Sequence, residues 1–438
     1  RIRTARAIIR QCRKATVPNP RRSASHAALF VGLMLVAGGA RGQAVADVAA
    51  PAAPASVTPD YAIPDFTALT RYLPSLDTRF GSLALGLELI GDYTVFRQND
   101  ISIGQVGVQN DQFEMRSASI DVTGQLGPKP WITYKVGIEY NGFNVNQDDT
   151  WNVTDLALNL ELDHGRTLVK LGQIKGNFSY EVVGSFVKMP QSERTMSPFA
   201  APRNPGVMII HVFGADKRMT GSIAAYKDQA ESAGGSFGFA ARGTALVWGA
   251  PGNGNGYLHL GASLLHSGSD TAARYRAKPG SDVADYYVDT GDFAVNGANH
   301  FGLEALYSNV GGWSVQSEYV VARVDAVDSG KVNFRGFYIL GSWVLTGEFR
   351  PYNRTTGTAG RLEPKGRWGA PELVARYSMV DLDSGAIQGG RYQRVDLGLN
   401  WWATTQWKLG VVAGRVWLDR FGVQGVTDTV LTRLQWVY

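Results

Sequence analysis

Three short motifs in this sequence could carry chemistry, and the element that holds each motif decides whether it does. Gly234-Gly-Ser-Phe-Gly238 matches the G-x-S-x-G pattern, in which a serine nucleophile lies on a turn between a strand and a helix. Asp381-Leu-Asp-Ser-Gly385 resembles the beginning of a calcium loop, and Gly252-Asn-Gly-Asn-Gly256 is as rich in glycine as a phosphate-binding loop. The nucleophile and phosphate motifs require a helix beside them, so the secondary structure must be interpreted first. The calcium loop lacks its later ligands in this sequence.

Histidine and cysteine do not supply a recognisable site. The single cysteine, Cys12, lies in a basic N-terminal stretch, so the rest of the chain can build no disulfide and no thiol nucleophile. The five later histidines show no spacing typical of metal ligands; they are His164, His211, His259, His266 and His300. We therefore expect neither a metal ion nor another cofactor.

From residue 81 to the C-terminus, apolar residues recur at every second position. In the first segment Leu83, Leu85 and Leu87 share one face, whereas Glu88 and Asp92 share the other. Successive side chains of a strand point to opposite faces, so this period predicts strands with one apolar and one polar face. About sixteen such segments begin near residues 82, 113, 131, 153, 166, 206, 218, 235, 256, 298, 312, 332, 370, 392, 406 and 426. An all-β chain leaves the three motifs without their helices, and we interpret them as turns and strand ends.

Three features distinguish a membrane barrel from a soluble sandwich. The segments are about ten residues long, which is the length of a membrane-spanning strand. Tryptophan recurs at their ends, as at Trp131, Trp313 and Trp436, and charged residues are only 18% of the chain. A sheet in lipid must close, because an open edge would leave backbone groups unpaired. The sequence therefore predicts an all-β, transmembrane, antiparallel β-barrel over residues 81–438, with about 16 strands and an aqueous channel.

The connections also suggest an orientation. Residues 127–130, 309–312 and 404–406 form short joins, whereas 175–203, 268–297 and 351–369 are long. Outer-membrane barrels have short periplasmic turns and long extracellular loops. We therefore expect the long stretches at one, extracellular, end of the barrel.

The N-terminal region predicts export. Arg21 and Arg22 precede a short apolar run, and Ala44-Val-Ala46 fits a cleavage site, so residues 1–46 are interpreted as a signal peptide. Residues 47–80 read as an Ala/Pro-rich leader that ends in a short helix or lead-in. Because residues 1–46 hold nine of the 43 basic residues and no acidic one, the remainder has 34 basic against 38 acidic residues. The basic character of the whole chain is therefore no argument for nucleic-acid binding. An amphipathic last segment that ends on Tyr438 is typical of barrels in the outer membrane of Gram-negative bacteria.

The C-terminal third resembles the phosphate-selective porin O and P family. The matching residues are Trp343-Val-Leu-Thr-Gly-Glu-Phe-Arg350, Trp368-Gly-Ala-Pro-Glu-Leu-Val-Ala-Arg-Tyr-Ser378, Asp381-Leu-Asp-Ser-Gly385, Gly389-Gly-Arg391 and Leu397-Gly-Leu-Asn-Trp401, with Gly172-Gln-Ile-Lys175 and Glu193-Arg194 upstream. The resemblance covers about residues 80–438. It implies a trimeric porin of 16 strands with an inward-folded loop, here at about 175–205, that narrows the pore.

The resemblance also implies an anion path. The candidate residues are Lys175, Lys188, Arg194, Arg203, Arg376 and Arg394, and the first four of them share the inward loop with Glu181 and Glu193. Rings of basic side chains favour anions, because they raise the local anion concentration and offset lost hydration. The alternative is that these are solvated loop charges with local ion pairs. The implied partners are outer-membrane lipid, lipopolysaccharide and small anions.

One segment departs from the family. Its members often carry clustered arginines where this chain reads Met115-Arg-Ser-Ala-Ser-Ile-Asp121. By parity with Ile120, Ser117 and Ser119 should point inward and Arg116 outward, so part of an arginine track is expected to be missing. We therefore expect a passive porin that leans towards anions such as phosphate, and not an enzyme. A general or sugar-permeable porin, an outer-membrane hydrolase and a purely structural barrel are the alternatives.

Overall fold

The computed structural model describes residues 76–127, 129, 131–140, 150–201, 203–227, 237–251, 256–268 and 272–438. The predicted signal peptide and most of the predicted leader lie outside these ranges. Ser236 of the serine motif and residues 252–255 of the glycine-rich motif also lie outside them. At the beginning of the described chain, Leu76–Thr78 forms a short strand that pairs with Gly81–Leu83.

Sixteen antiparallel strands form a closed barrel, as the alternation predicts. The strands are β1 Gly81–Gln98, β2 Gln112–Gln125, β3 Ile132–Tyr140, β4 Trp151–Leu162, β5 Thr167–Ile174, β6 Asn204–Phe213, β7 Met219–Lys227, β8 Phe237–Gly249, β9 Tyr257–Ser267, β10 Phe293–Ser308, β11 Trp313–Ala326, β12 Gly330–Val344, β13 Ala370–Ser384, β14 Ile387–Trp402, β15 Trp407–Arg420 and β16 Val423–Val437. Each pairs with its sequence neighbour, and β1 pairs with β16 from Glu88↔Val437 to Gln98↔Thr427. The backbone N–H groups of Leu87 and Tyr438 donate to each other's carbonyls at 3.2 and 2.7 Å. The closure leaves no strand edge exposed to lipid.

The two faces of the wall have opposite chemistry. On β14, Leu397 is 63% exposed on the outer face, whereas Arg394, Asp396 and Asn400 are buried on the inner face. The same alternation places Asp92 of β1 inside and Tyr93 outside. The expected apolar outside and polar inside are therefore confirmed for these strands.

The described helices are short and lie in the connections. They are α1 Asp100–Val106, α2 Tyr180–Val183, and the 3₁₀ turns Phe186–Lys188 and Ser197–Phe199. Asn99 caps α1, because its side-chain oxygen accepts the Ser102 N–H at 2.9 Å. No helix in the described part of the chain is long and apolar enough to cross a membrane.

Three long connections fold into the barrel, but they do not share one end. We call the end where β1 begins and β16 ends the turn end, and the opposite end the loop end. The constriction loop (175–203) and the second loop (268–292) enter from the loop end, whereas the connection 345–369 joins β12 to β13 at the turn end. We call this connection the turn-end insert. The prediction that all long connections lie at one end is therefore wrong for it.

Apolar packing fills part of the interior. Inward side chains of β10–β13 meet apolar residues of the constriction and second loops; they include Phe178, Met196, Phe199, Tyr275, Tyr287, Val320, Phe334 and Tyr338. All of these residues are nearly inaccessible to solvent. By contrast, inward side chains near β2–β5 keep contact with solvent, such as Asp121 at 38% and Lys135 at 35%. The interior therefore remains accessible to solvent along the β2–β5 side of the barrel.

Candidate functional site: the pore constriction

Buried carboxylates hold the beginning of the constriction loop. Glu318 of β11 accepts the backbone N–H groups of Tyr180 at 2.9 Å and Glu181 at 3.3 Å. The Glu181 carboxylate then accepts the N–H groups of Thr195 and Met196 at 2.7 and 3.0 Å. These bonds satisfy N–H groups that the loop could not pair by itself away from water.

A row of donors holds the loop's carbonyl groups in turn. The bonds are Gln435 to Val187 O at 2.9 Å, Arg350 to Lys188 O at 2.7 Å, Lys408 to Met189 O at 3.3 Å, Asn400 to Pro190 O at 2.8 Å, Arg433 to Ser192 O at 2.6 Å and Arg376 to Glu193 O at 2.7 Å. Arg350 belongs to the turn-end insert, and the other five donors belong to β13–β16. We call these six residues the donor row. They fix the loop as an extended segment across the lumen, as the family resemblance implies.

Two of the expected path residues serve as anchors. Arg376 is 6% exposed and donates to Glu181 Oε1 at 2.7 Å. Arg394 is 2% exposed, pairs with Asp396 at 2.6 Å and donates to Pro279 O of the second loop. Their guanidinium groups lie beneath the loops and do not line the solvent-accessible side. The expectation that Arg376 and Arg394 line the anion path does not fit this placement, because both are buried and donate to acids, carbonyls and hydroxyl groups of the loops and the wall.

Arg116 points inward, contrary to the parity prediction. In β2 the register shifts between Ser117, which pairs with Ile90, and Met115, which pairs with Gly91. The extra residue, Arg116, forms a β-bulge. Side chains on its N-terminal side therefore alternate with the opposite parity to those on its C-terminal side. Arg116 consequently donates to Glu193 of the constriction loop at 2.8 and 3.0 Å. One arginine of this segment therefore does point into the barrel.

Arginines surround Phe186 of the constriction loop. The guanidinium carbons of Arg116, Arg194 and Arg433 lie 5.2, 5.3 and 5.8 Å from the centre of the ring. Glu193 joins two of these groups, Arg116 at 2.8 Å and Arg433 at 2.6 Å. Burial raises the pKa of Glu193, but the two guanidinium groups outweigh it and lower the pKa to about 2. The carboxylate is therefore charged throughout the physiological range.

The solvent-accessible side of the lumen carries more basic than acidic groups. On the wall, Lys135 pairs with Asp121 and Asp155 at 3.1 Å each, and Arg203 approaches Asp155 at 3.6 Å. Lys170 lies within electrostatic range of the Lys135 and Asp155 charges. Among the described residues, this group of seven cations, which we call the cation cluster, consists of Lys135, Lys170, Lys175, Lys188, Arg194, Arg203 and Arg361. Four acids of the described wall lie beside them: Glu88, Asp121, Glu139 and Asp155. The loop acids Glu181 and Glu193 also act on Arg194, but they bond to Arg376 and to Arg116 and Arg433.

Three loop members of the cation cluster, Lys175, Lys188 and Arg194, make no salt bridge with a carboxylate in the described structure. Lys175 Nζ donates to Gly184 O at 2.8 Å, and Arg194 Nε donates to Glu181 O at 2.7 Å. Burial, followed by the charges of Arg194 and Arg203, lowers the pKa of Lys175 well below 10.5. Burial, followed by Arg361, also lowers the pKa of Lys188. Cations that depress one another's pKa would gain from a passing anion.

Comparison with known proteins identifies the family. The model of the family described as phosphate-selective porin O and P matches residues 84–438. The chain belongs to that family. The resemblance found in the sequence is confirmed, and it extends over nearly the whole barrel.

Solved structures agree on the fold of this porin. An anion-selective porin from Comamonas acidovorans has a TM-score of 0.53 at 11% identity, covering 82% of this chain and 100% of that chain. OmpT of Vibrio cholerae with loop L8 deleted, an outer membrane protein, has a TM-score of 0.52 at 10% identity with the same coverage. No curated protein sequence matches the chain. The family and the fold together support a porin of the outer membrane.

The buried His259 of this porin belongs to an anchor. His259 contacts Tyr352 Oη at 2.7 Å and Glu304 Oε1 at 2.8 Å, and Arg242 donates to Thr356 O of the turn-end insert at 2.6 Å. The residues described include no group of three acids, histidines or cysteines arranged to hold a metal ion. This network fastens the insert to β8–β10 and leaves its polar groups paired with one another.

Proposed function

We propose that this porin lets small hydrophilic anions, phosphate among them, diffuse passively across the outer membrane. The observation that carries the proposal is the cation cluster, whose seven basic groups lie beside four acids of the wall. The two loop acids near it, Glu181 and Glu193, are paired with arginines outside the cluster. An excess of fixed positive charge in a channel with protein walls raises the local anion concentration and repels cations. The Comamonas relative, which is an anion-selective porin, has the same fold.

The arrangement also allows anions to leave. Lys135 and Arg203 share Asp155, so the acid offsets part of their charge. Lys175 and Lys188 have no such partner among the described residues and offer N–H donors to an anion that sheds water. Conduction requires sites that attract an ion without trapping it, and a row of partly neutralised cations meets this condition. Phosphate accepts several hydrogen bonds and would bind such a row more tightly than chloride.

The test is the reversal potential of the full chain in a planar bilayer under a salt gradient, with and without added phosphate. We expect anion-selective current that phosphate reduces, and a lower anion preference in the Lys175→Gln/Arg203→Gln variant. Arg335→Gln is the matched control, because it removes a positive charge from the outer surface. Cation-selective or unselective current would overturn the anion proposal and leave a general or sugar-permeable porin. Absence of any current would favour a structural barrel or a hydrolase.

We also propose that the porin assembles as a homotrimer. Strands β3, β5, β6 and β7 have 9, 8, 10 and 9 residues, whereas β10–β16 have 14 to 16. A tilted strand needs about 9–11 residues to cross the membrane. The short strands therefore form a low wall, which a neighbouring copy could shield from lipid. Light scattering of the detergent-solubilised protein tests this, and a monomeric mass would contradict it.

A further inference from the structure

The outer surface of the long strands rises above the hydrocarbon at the loop end. The turn end carries the aromatic residues of an interface, with Trp313 and Trp343 stacked at 4.6 Å and Trp407 beside Trp436 at 6.1 Å. Strands β10–β16 have about four residues more than a membrane crossing requires. If the tryptophans mark one membrane interface, this excess must project at the loop end into the layer of lipid headgroups.

Outward side chains at this level form a row of alternating charge. Across β15, β14, β13 and β12, the cross-strand partners are Asp419, Arg391, Asp381 and Arg335. Arg391 approaches Asp419 at 3.3 Å, and Arg335 approaches Asp381 at 2.9 Å. The next outward row towards the turn end is amphipathic, with Trp417, Gln393, Met379 and Phe337 as partners. The charges therefore lie directly above residues suited to a membrane interface.

A second row continues the first around the barrel. Arg415 of β15 pairs with Asp428 of β16 at 2.6 Å, and Asp428 lies opposite Arg97 of β1. Arg97 in turn approaches Asp111 at 3.3 Å. Arg415 lies nearer the turn end of β15 than Asp419. Because the strands are tilted by about 35–45° to the barrel axis, residues at one depth in the membrane are displaced along the strand from one strand to the next. The two rows thus form one belt over six adjacent strands.

In every pair of this belt the arginine is more exposed than the acid. The exposed side-chain fractions are 72% for Arg97, 54% for Arg335, 42% for Arg391 and 55% for Arg415, against 35%, 10%, 30% and 47% for their acids. Arg335 and Arg415 use Nε and Nη2 for the carboxylate, and within the described residues Nη1 makes no hydrogen bond. At Arg335 and Arg415 the acid thus holds one edge of the guanidinium group and leaves Nη1 on the other edge for a further acceptor. A planar, fixed edge of N–H donors is suited to a phosphate group.

We propose that Arg97, Arg335, Arg391 and Arg415 bind the phosphate groups of lipid headgroups in the leaflet at the loop end. The belt faces away from the lumen, so the anions that meet it are those of the surrounding membrane. Outward apolar residues beneath the belt, such as Leu397 and Val430, contact the acyl chains of the same lipids. This role is independent of the solutes that pass through the pore.

The test uses the purified full chain in neutral detergent, with lipid A, a diphosphorylated glycolipid, as the probe. Bound lipid is counted by native mass spectrometry over a titration. We expect the Arg335→Gln/Arg391→Gln/Arg415→Gln variant to bind at least about tenfold more weakly. The matched variant, Asp381→Asn/Asp419→Asn/Asp428→Asn, removes the same three ion pairs but keeps the donors. It should bind lipid A as well as the wild type or better.

Two results would overturn the proposal. Unchanged binding by the arginine variant would show that the guanidinium groups do not contact the lipid. Equal losses in both variants would show that the belt acts only through its internal ion pairs. Unaltered single-channel conductance confirms that each variant is folded, and Arg415→Gln alone serves if the triple variant fails this check. Competition by inorganic phosphate distinguishes recognition of the phosphate from recognition of the whole lipid.

Discussion

Lys175 and Lys188 should make the anion preference sensitive to alkaline pH. The pKa of each lysine is lowered from 10.5, chiefly by burial and then by neighbouring cations. A lysine loses its charge as the pH rises through its pKa. The cation cluster therefore begins to lose positive charge at a lower pH than it would if these lysines had the pKa of free lysine. We expect the anion-to-cation permeability ratio, measured from reversal potentials, to fall between neutral pH and pH 10.5.

The matched variant for this prediction is Lys175→Arg/Lys188→Arg. Arginine keeps its charge over the whole range, so its permeability ratio should stay nearly constant with pH. If the wild type and the variant lose anion preference in parallel, groups other than these two lysines govern the response.

Arg376 should stabilise the position of the constriction loop and should not contribute to the charge of the solvent-accessible lumen. Replacing it with Gln leaves Glu181 buried with an uncompensated charge, which costs about 3–5 kcal/mol. We expect the loop to loosen, so that trypsin cuts after Lys188 or Arg194 and the current becomes noisy. Arg335→Gln, which removes an ion pair on the outer wall, should leave the loop protected. A protected loop in Arg376→Gln would contradict the anchoring role.

At the scale of elements, the turn-end insert should limit the size of the passage. It contributes Arg350, which donates to Lys188 O, and Tyr352, which contacts His259. Within the insert, Tyr352–Asn353 pairs with Thr358–Ala359 as a short hairpin. Replacing residues 351–360 with a short Gly-Ser linker removes this hairpin and leaves β12 and β13 intact. We expect a higher single-channel conductance and entry of larger sugars in liposome swelling assays. The same conductance as the wild type would show that the insert does not border the path.

The strands were predictable from sequence, whereas the end at which one long connection lies was misjudged. Alternation gave a start within a few residues for each of the sixteen strands, because one face of each strand meets lipid and the other does not. Connection length alone placed 351–369 with the loops. Counting strands corrects this, because β12 runs towards the same end as β16 and its following connection must begin there.

The site was predictable only where its members share one segment. Lys175, Lys188, Arg194 and Arg203 lie in a single loop, so the sequence brings them together. Lys135, Lys170 and Arg361 join them only through barrel closure and the insert, which no local pattern reveals. Arg116 was misassigned because a bulge changes strand parity without leaving a signal such as glycine or proline at that position.

For the molecule as a whole, the lipid-facing surface should tolerate charge only outside the hydrocarbon. Leu399 is 49% exposed on the outer face of β14, whereas Gln424 lies at the loop end of β16. We expect Leu399→Arg to lower the free energy of unfolding by about 2–4 kcal/mol and Gln424→Arg to change it by less than about 1 kcal/mol. Urea unfolding in lipid vesicles measures both. Equal effects would mean that the assignment of the hydrocarbon zone is incorrect.

The donor row has a consequence for biogenesis. Gln435 and Arg433 reach back over 248 and 241 residues to the loop carbonyls that they hold, and the other wall donors also belong to the last four strands. Contacts so distant in sequence form late, because chain closure must come first. Every intermediate that lacks β13–β16 therefore lacks the wall donors that hold the carbonyl groups of the constriction loop. The constriction is completed by the same step that closes the barrel. A nascent barrel therefore acquires its selectivity only when its first and last strands have paired.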